Sequence, residues 1–173
     1  MDWIYDKTND NSARFTLGIP GNSVMLCFGI NPSTAEPDNL DNTLKSVERI
    51  AKRHNFDGWV MFNVYPQRAT NPDDMHAEMD TVLHRRNLEA IESILQTYKG
   101  KAKKVLAAWG TLINKRDYLK TCLRDIHAVF KKYDCEWVSI GKESKKGHPH
   151  HPLYLSNEER LKPFDMATYI ELI

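Results

Sequence analysis

The stretch VMLCFGINPSTA, residues Val24–Ala35, decides the fold of this chain. Its first half is an apolar run typical of a buried strand, which ends in Gly29-Ile-Asn-Pro-Ser33. Pro32 restricts the preceding Asn31 to extended backbone and so favours a sharp exit from the strand. Polar side chains just past the carboxyl end of a buried strand lie where α/β proteins bind ligands. The stretch therefore predicts both a core strand and the place of a site.

Length and composition predict one domain over residues 1–173. Hydrophobic residues make up 41% of the chain and charged residues 27%, as in ordinary globular proteins. No apolar run approaches the roughly 18 residues of a membrane span, so we expect no membrane partner. The polar amino terminus lacks a signal-peptide pattern. Three widely spaced cysteines, Cys27, Cys122 and Cys135, favour a reducing compartment, and we predict a cytoplasmic protein.

Apolar runs alternate with segments of helical periodicity along the chain. We predict core strands over Val24–Ile30, Trp59–Val64, Lys104–Trp109 and Cys135–Ile140. Helices are predicted from Asp41 or Asn42 to His54, over Met79–Tyr98 and over Leu112–Lys132, with a short one after Pro163. This alternation indicates a mostly parallel sheet covered by helices on both faces. Arg14–Ile19 is expected to form an antiparallel hairpin with Val24–Ile30 at the sheet edge.

Each predicted core strand ends in polar or small residues. These are Asn31 to Ser33, Asn63, Trp109 with Gly110, and the loop after Ile140. Because the carboxyl ends of parallel strands meet at one edge of a sheet, four separate segments are expected to build one cleft.

Two asparagines and an arginine are the first candidates in this cleft. Asn31 has an amide that can orient a water or contact a base, and it can equally end the strand as a turn residue. Asn63 needs partners for a buried amide, which either a ligand or nearby backbone can supply. Arg68 is placed to pair with a phosphate or with neighbouring carboxylates. Asp41 suits a general base, although helix capping is its simpler role.

The loop GHPHHPLYLS, Gly147 to Ser156, holds the densest group of histidines. His148, His150 and His151 suit acid–base chemistry near neutral pH, and a solvated loop without a role is the alternative. Their spacing lacks the pattern of a metal site, and the sequence has no P-loop, GxGxxG, GxSxG or HExxH motif. We therefore predict no metal ligands and no cofactor.

Positive charge is concentrated in the second half of the chain. Residues 99–147 carry 13 Lys and Arg against 5 Asp and Glu, although the net charge of the whole protein is +1. Lys145 and Lys146 lie beside the histidine loop, which suits contacts with phosphates of DNA or a nucleotide. A solvated helix face is the alternative interpretation.

Four segments, taken together and in order, resemble motifs of the uracil-DNA glycosylase-like superfamily. They are GINPS (29–33), VMFN (60–63), AAWG (107–110) and HPLYLS (151–156). The chain is also similar, over about residues 24–156, to a family known only as a domain of unknown function. That family has Asn-Pro-Ser-x-Ala near its start and His-Pro-Leu-Tyr near its end.

The resemblance implies a fold and a set of roles. It implies a three-layer α/β/α sandwich with a mostly parallel four-stranded central sheet. It implies that Asn31 orients the attacking water, that Asn63 reads the base, and that His151 stabilises the departing base anion. Ser33 stands where the classical branch has a tyrosine that excludes larger bases.

We accordingly expect a hydrolase of the N-glycosidic bond of a nucleobase, acting on DNA or on a nucleotide. Asn31 and His151 are the expected catalytic residues. The expected substrate-binding residues are Ser33, Asn63, Arg68, Trp109, Gly110, His148, Lys145 and Lys146. A non-catalytic nucleic-acid or nucleotide-binding protein is the alternative.

Overall fold

Seven strands form one mixed sheet in the computed structural model, which describes residues 1–173. The strands are β1 (Ile4–Lys7), β2 (Arg14–Ile19), β3 (Val24–Gly29), β4 (Gly58–Asn63), β5 (Ala102–Ala107), β6 (Glu136–Ser139) and β7 (Lys162–Pro163). Their order across the sheet is β1-β2-β4-β3-β5-β6-β7. Strands β3 and β4 are buried along their whole length, as the apolar stretch at Val24 predicts.

The prediction of a four-stranded, mostly parallel sheet is wrong. Strands β4, β3, β5 and β6 pair in parallel, but β1 with β2, β2 with β4 and β6 with β7 pair antiparallel. The sheet is therefore mixed, with three antiparallel pairings among six. The additional strands β1 and β7 are short, and polar residues interrupt them, so they lack the apolar pattern on which the prediction depended.

The predicted amino-terminal hairpin is also wrong in its pairing. Strand β2 pairs with β1 on one side and with β4 on the other, and it does not pair with β3. Gly18 permits the close approach to β4, because a Cβ there would lie 2.1 Å from the carbonyl oxygen of Trp59. Strands β2 and β3, which are neighbours in sequence, are therefore separated in the sheet by β4.

Four α-helices connect or follow the strands: α1 (Asn42–Arg53), α2 (Thr81–Thr97), α3 (Asp117–Phe130) and α4 (Met166–Leu172). The helix predicted over Leu112–Lys132 is divided into a 3-10 helix, Gly110–Asn114, and α3. Arg116 between them has extended backbone, which separates the two elements. A further 3-10 helix covers Pro72–Asp74. None of the helices has both the length and the apolar character required to cross a membrane.

Alternate residues of the central strands pack into two apolar clusters on opposite faces of the sheet. Leu26 and Phe28 belong to the larger cluster, to which α2, α3 and α4 contribute, whereas Met25 and Cys27 belong to the smaller one with α1. This follows from the period of two along a strand, which sends successive side chains to opposite faces. Helix α1 therefore lies on one face and the other helices on the opposite face.

This placement of the helices opens a crevice at the carboxyl ends of β3 and β5, which are adjacent. The chain leaves β3 towards α1 on one face, and it leaves β5 towards α3 on the other face. Open sheets bind ligands in the crevice where successive connections diverge in this way. Asn31 follows β3 and Trp109 follows β5, so both residues flank the crevice.

Candidate functional site

A cavity of about 90 Å³ lies at this carboxyl edge. Five of the residues predicted from the sequence line it: Asn31, Ser33, Asn63, Trp109 and His151. Residues to which the sequence assigned no binding role also line it, among them Arg14, Thr43 and Met61, as does Asp41. The cavity is smaller than the 300–1,000 Å³ of typical small-molecule sites, so it accommodates a compact group rather than a whole nucleotide.

The side-chain amide of Asn31 is held by backbone carbonyls. Its Nδ2 donates to Ala69 O at 2.8 Å, to Pro32 O at 3.1 Å and to Gln67 O at 3.4 Å. These bonds connect the loop after β3 to the loop after β4. Because the nitrogen is fully used, the Oδ1 of Asn31 is left as the group that can accept from a water or a ligand.

Asn63, the last residue of β4, is 2% exposed and lies directly opposite Gly29 in the sheet register. A Cβ on Gly29 would lie 3.2 Å from Asn63 Nδ2 and 2.9 Å from Met61 Cε, so glycine makes room for the amide. Asn87, fully buried on α2, donates from Nδ2 to the backbone carbonyl of Asn63 at 2.9 Å. Asn87 thus fixes the backbone of Asn63, and the side-chain Nδ2 of Asn63 donates to no protein group.

Arg14 is the most unusual group in the cavity, because it is 1% exposed and forms no ion pair. It is the first residue of β2, and since β2 runs antiparallel to β4 it lies at the carboxyl edge. Its Nη1 donates to Ala35 O at 3.1 Å and its Nη2 to Asn63 Oδ1 at 3.4 Å. The buried Nε has no partner.

The charge on Arg14 is retained at neutral pH despite its burial. Burial, reinforced by the positive charge of Arg68, lowers the pKa of Arg14 to about 10, and Asp41 opposes this effect. A buried charge without a counter-ion is costly, by several kcal/mol for an ion of this size. The cavity therefore contains a cation for which the protein supplies no direct anionic partner.

Asp41 has two roles that the sequence treats as alternatives. It is the N-cap of α1, where its Oδ1 accepts from the backbone N–H of Leu44 at 2.9 Å. It also lines the cavity, and its second carboxylate oxygen accepts no hydrogen bond from the protein. Capping fixes the carboxylate beside the cavity and leaves one oxygen available to a water or a ligand.

His151 lines the cavity and has a ring N–H that no protein group accepts. The backbone N–H of Leu153 donates to its Nδ1 at 3.3 Å, which places the proton of the neutral ring on Nε2. Burial lowers the pKa of His151, the neighbouring His150 adds to this, and Asp41 opposes it. The ring is therefore neutral at pH 7, with Nε2–H free of any protein acceptor.

Trp109, Gly110 and Ser33 complete the surroundings of the cavity. Trp109 is 1% exposed, lines the cavity, and donates from Nε1 to Tyr169 Oη at 2.9 Å. Gly110 does not line the cavity, but a Cβ there would lie 3.7 Å from His151 Cβ, and its φ of +62° suits glycine. Ser33 shares a hydrogen bond of 2.8 Å with the Thr70 hydroxyl.

Arg68 does not line the cavity and forms no ion pair. Its Nη1 donates to Ser33 O at 2.6 Å and to Ala35 O at 3.2 Å, and its Nη2 donates to Tyr5 Oη at 3.0 Å. Arg68 therefore holds the segment after Asn31 in place. It also shares the carbonyl of Ala35 with Arg14, which brings the two guanidinium groups close together.

His148 lies in a separate cleft of about 730 Å³ with Lys146. Its Nδ1 is 2.8 Å from Tyr169 Oη and its Nε2 is 3.2 Å from the Asn114 amide nitrogen. Burial, together with the positive charges of Lys120 and Lys146, lowers the pKa of His148. Lys145 is exposed and lines neither opening. The loop histidines therefore divide between two environments, and no three His, Cys, Asp or Glu side chains are grouped to hold a metal ion.

The basic segment does not form one surface. Lys99, Lys103 and Lys132 line a cleft beside the amino end of β5, opposite the cavity. Lys120 and Lys146 line the cleft that contains His148 instead. The positive excess of residues 99–147 therefore comes from lysines that lie at both edges of the sheet.

Residues 14–153 match the sequence profile of a family described as "Protein of unknown function (DUF1643)". The matched range begins at Arg14 and includes every residue that lines the cavity. No curated protein and no solved structure shows significant similarity to the chain. Since the match extends over most of the sequence, the chain belongs to this family.

Proposed function

We propose that this DUF1643 protein hydrolyses the N-glycosidic bond of a nucleobase, in DNA or in a nucleotide. The supporting observation is that Asn31, Asn63 and His151, which come from three separate segments, line one cavity. The motifs of these segments resemble those of uracil-DNA glycosylase-like enzymes. The small volume suits a base that enters alone while the sugar and phosphate stay outside.

The orientation of each group supports a role in this reaction. The bond between C1′ of the sugar and the ring nitrogen breaks, and its electron pair leaves with the base. The neutral His151 can donate Nε2–H to the base anion as negative charge develops. Asn31 can accept from the attacking water through Oδ1, since its nitrogen is bound to backbone.

A proton acceptor for the water is also needed. The water oxygen joins C1′ and loses a proton, which the free carboxylate oxygen of Asp41 can take before the proton passes to the departed base. An asparagine cannot accept that proton, because its side chain does not titrate in this range. Asp41 is therefore the general base of the proposed reaction.

The test is a base-release assay on the purified protein. Substrates are duplexes and single strands bearing uracil, mismatched thymine or modified cytosines, and the corresponding nucleotides. We expect release of a free base from at least one of them, and its loss in an Asn31→Ala, His151→Ala double variant. His127→Ala is the matched control, since His127 is a half-buried histidine on α3 outside the cavity. No release from any substrate, or equal rates in the double variant, overturns the proposal.

A non-catalytic nucleotide or nucleic-acid binding function is the second candidate. The observation that favours it is the structural use of Asn31, whose amide connects two loops whether or not a water is present. A binding protein of this kind would retain nucleic acid without releasing a base. Affinity that falls steeply with salt would then indicate phosphate contacts, and salt-independent binding would indicate the base alone.

A further inference from the structure

Arg14 gives the cavity a feature that neither catalysis nor folding explains. Arg14 is 1% exposed, lines the cavity, has no carboxylate partner, and keeps an Nε–H without any acceptor. Buried polar groups in native proteins are nearly always hydrogen-bonded, so an unpartnered one beside a cavity indicates a missing acceptor. What a ligand in the cavity can supply is an acceptor-rich, partially negative group beside this unpaired cation.

The contact between Arg14 and Asn63 determines what kind of ligand fits. An asparagine side chain ordinarily offers one acceptor and two donors, and it can therefore read a base edge of either polarity. Here Arg14 Nη2 donates to Asn63 Oδ1 at 3.4 Å and uses one of the two lone pairs of that oxygen, whereas Asn63 Nδ2 donates to no protein group. Arginine itself has donors only. The two residues together offer the cavity more N–H donors than acceptors.

We propose that Arg14 makes this cavity selective for a base edge with two adjacent hydrogen-bond acceptors. The proposal rests on the proposed function, because it takes the base pocket as given and names its preferred base. Cytosine offers such an edge through O2 and N3, and guanine offers one through O6 and N7. Uracil and thymine place an N3–H between two carbonyls, and that donor would face the N–H groups of Arg14 and Asn63.

The experiment compares bases whose glycosidic nitrogen is blocked by a methyl group. The probes are 1-methylcytosine, 1-methyluracil and 9-methylguanine, titrated by calorimetry or by NMR shift changes. We expect at least one of the two acceptor-edge probes to bind about 10- to 100-fold more tightly than 1-methyluracil, the range for one well-formed bidentate contact. The tighter binder of these two probes shows whether the cavity prefers the acceptor edge of cytosine or that of guanine.

Two variants separate selectivity from folding. Arg14→Met frees Asn63 Oδ1 to accept from N3–H, so the preference should disappear or reverse towards 1-methyluracil. Arg53→Met is the matched control, because Arg53 also has a buried Nε without a partner but lies at the end of α1, outside the cavity. Asn63→Asp, which can pair with Arg14, provides a second variant and should weaken the acceptor-edge probes at least about tenfold.

Each outcome supports or overturns the inference. Tighter or equal binding of 1-methyluracil to the wild-type protein, or binding of inorganic phosphate without binding of any base, overturns it. An unchanged preference in Arg14→Met, if it folds, or in Asn63→Asp also overturns it. If the protein binds 1-methylcytosine but releases no base, the inference is supported and the proposed reaction is overturned. If base release is the same with and without Arg14, the proposed reaction is supported and the inference is overturned.

Discussion

The carboxyl edge of the sheet holds a buried cation without a counter-ion, whereas the amino edge holds exposed lysines that pair with carboxylates. At the carboxyl edge, Arg14 has no ion pair although it is almost wholly buried. At the amino edge, Lys132 pairs with Glu92 at 2.6 Å, and Lys104 pairs with Glu136. Exposed pairs of this kind contribute about 0–1 kcal/mol to stability.

The difference shows why charge along the sequence does not locate a site in this protein. The segment with the largest positive excess contributes its lysines to both edges, and most of them are solvated. The cavity instead takes its one buried cation from a segment with a net negative charge. A wholly buried cation without a counter-ion distinguishes the two edges more sharply than the total charge does.

The largest effect is expected from His151→Ala. Removal of the Nε2–H donor should lower the rate of base release about 10²- to 10⁴-fold, the usual contribution of one positioned acid–base group. The fold should be retained, because His151 contributes only one weak hydrogen bond to its own loop. Single-turnover rates of the variant and of His127→Ala, measured together, test this. A His151→Ala rate within threefold of the control rate would remove His151 from the reaction.

Gly29→Ala at the carboxyl edge and Gly100→Ala at the amino edge compare the two edges by the same substitution. The new methyl group would meet Asn63 Nδ2 and Met61 Cε, which should cost about 1–3 kcal/mol and obstruct the cavity. Gly100→Ala at the amino edge should cost about 1–2 kcal/mol, because Gly100 has a φ of +79° and no neighbour near its Cβ position.

Denaturant unfolding and base binding should therefore diverge for these two variants. Both should lose stability, but only Gly29→Ala should lose affinity for the base, by about tenfold or more. Equal affinity in the two variants would show that the space beside Asn63 is not used by a ligand.

The rate of base release should follow the fraction of His151 that is neutral at each pH. Since its pKa is lowered by burial and by His150, the Leu153 N–H bond to Nδ1 is intact at pH 7 and is lost on protonation. Base release should be flat above about pH 6.5 and should fall roughly tenfold per unit below the lowered pKa. A rate that rises on acidification through this range would mean that the cationic ring is the active form.

The free energy of unfolding should also decrease as the pH falls. A histidine with a lowered pKa in the folded state binds fewer protons there than in the unfolded chain, so stability falls as the pH decreases from about 6.5 through the lowered pKa. His151→Gln should remove this part of the dependence, as measured by denaturant titrations at several pH values. His148, whose pKa is also lowered, should retain its own contribution in that variant.

The smallest effect is expected from the lysines of the histidine loop. Lys145→Ala with Lys146→Ala should weaken DNA binding several-fold and reduce the salt slope by about 2, if each contacts one phosphate. The matched pair Lys101→Ala with Lys103→Ala, exposed at the amino edge, should change neither quantity. Equal losses for the two pairs would mean that DNA contacts are not confined to the carboxyl edge.

Strong apolar periodicity made the centre of the fold predictable. Strands β3 and β4 are almost unbroken apolar runs, and Asp41 is the N-cap expected for α1. The edge strands β1 and β7 were missed because they are short, partly polar and stabilised by pairing with distant segments. The pairing of β2 with β4 likewise depends on contacts between residues about 40 positions apart, which local pattern does not encode.

The grouping of the candidate residues was predictable where a residue follows a core strand. Asn31, Asn63 and Trp109 come directly after apolar runs, and the parallel central strands bring them together. Arg14 was missed because an arginine at the start of a weakly alternating strand is usually exposed. Its burial arises from contacts with Ala35 and Asn63, distant in sequence. A charged residue at the head of a strand that is otherwise apolar except for Thr16 was the available signal.

A chemical-shift titration of ¹⁵N-labelled protein with a methylated nucleobase tests the central claim most directly. The claim is that the ligand site is the carboxyl-edge cavity lined by Arg14, Asn31, Asn63 and His151. We expect saturable shifts at the Asn63 side-chain amide, the Arg14 Nε–H and the backbone of residues 29–33, with none around Lys103 and Lys132. Shifts confined to the amino edge, or to the separate cleft with His148, would contradict it.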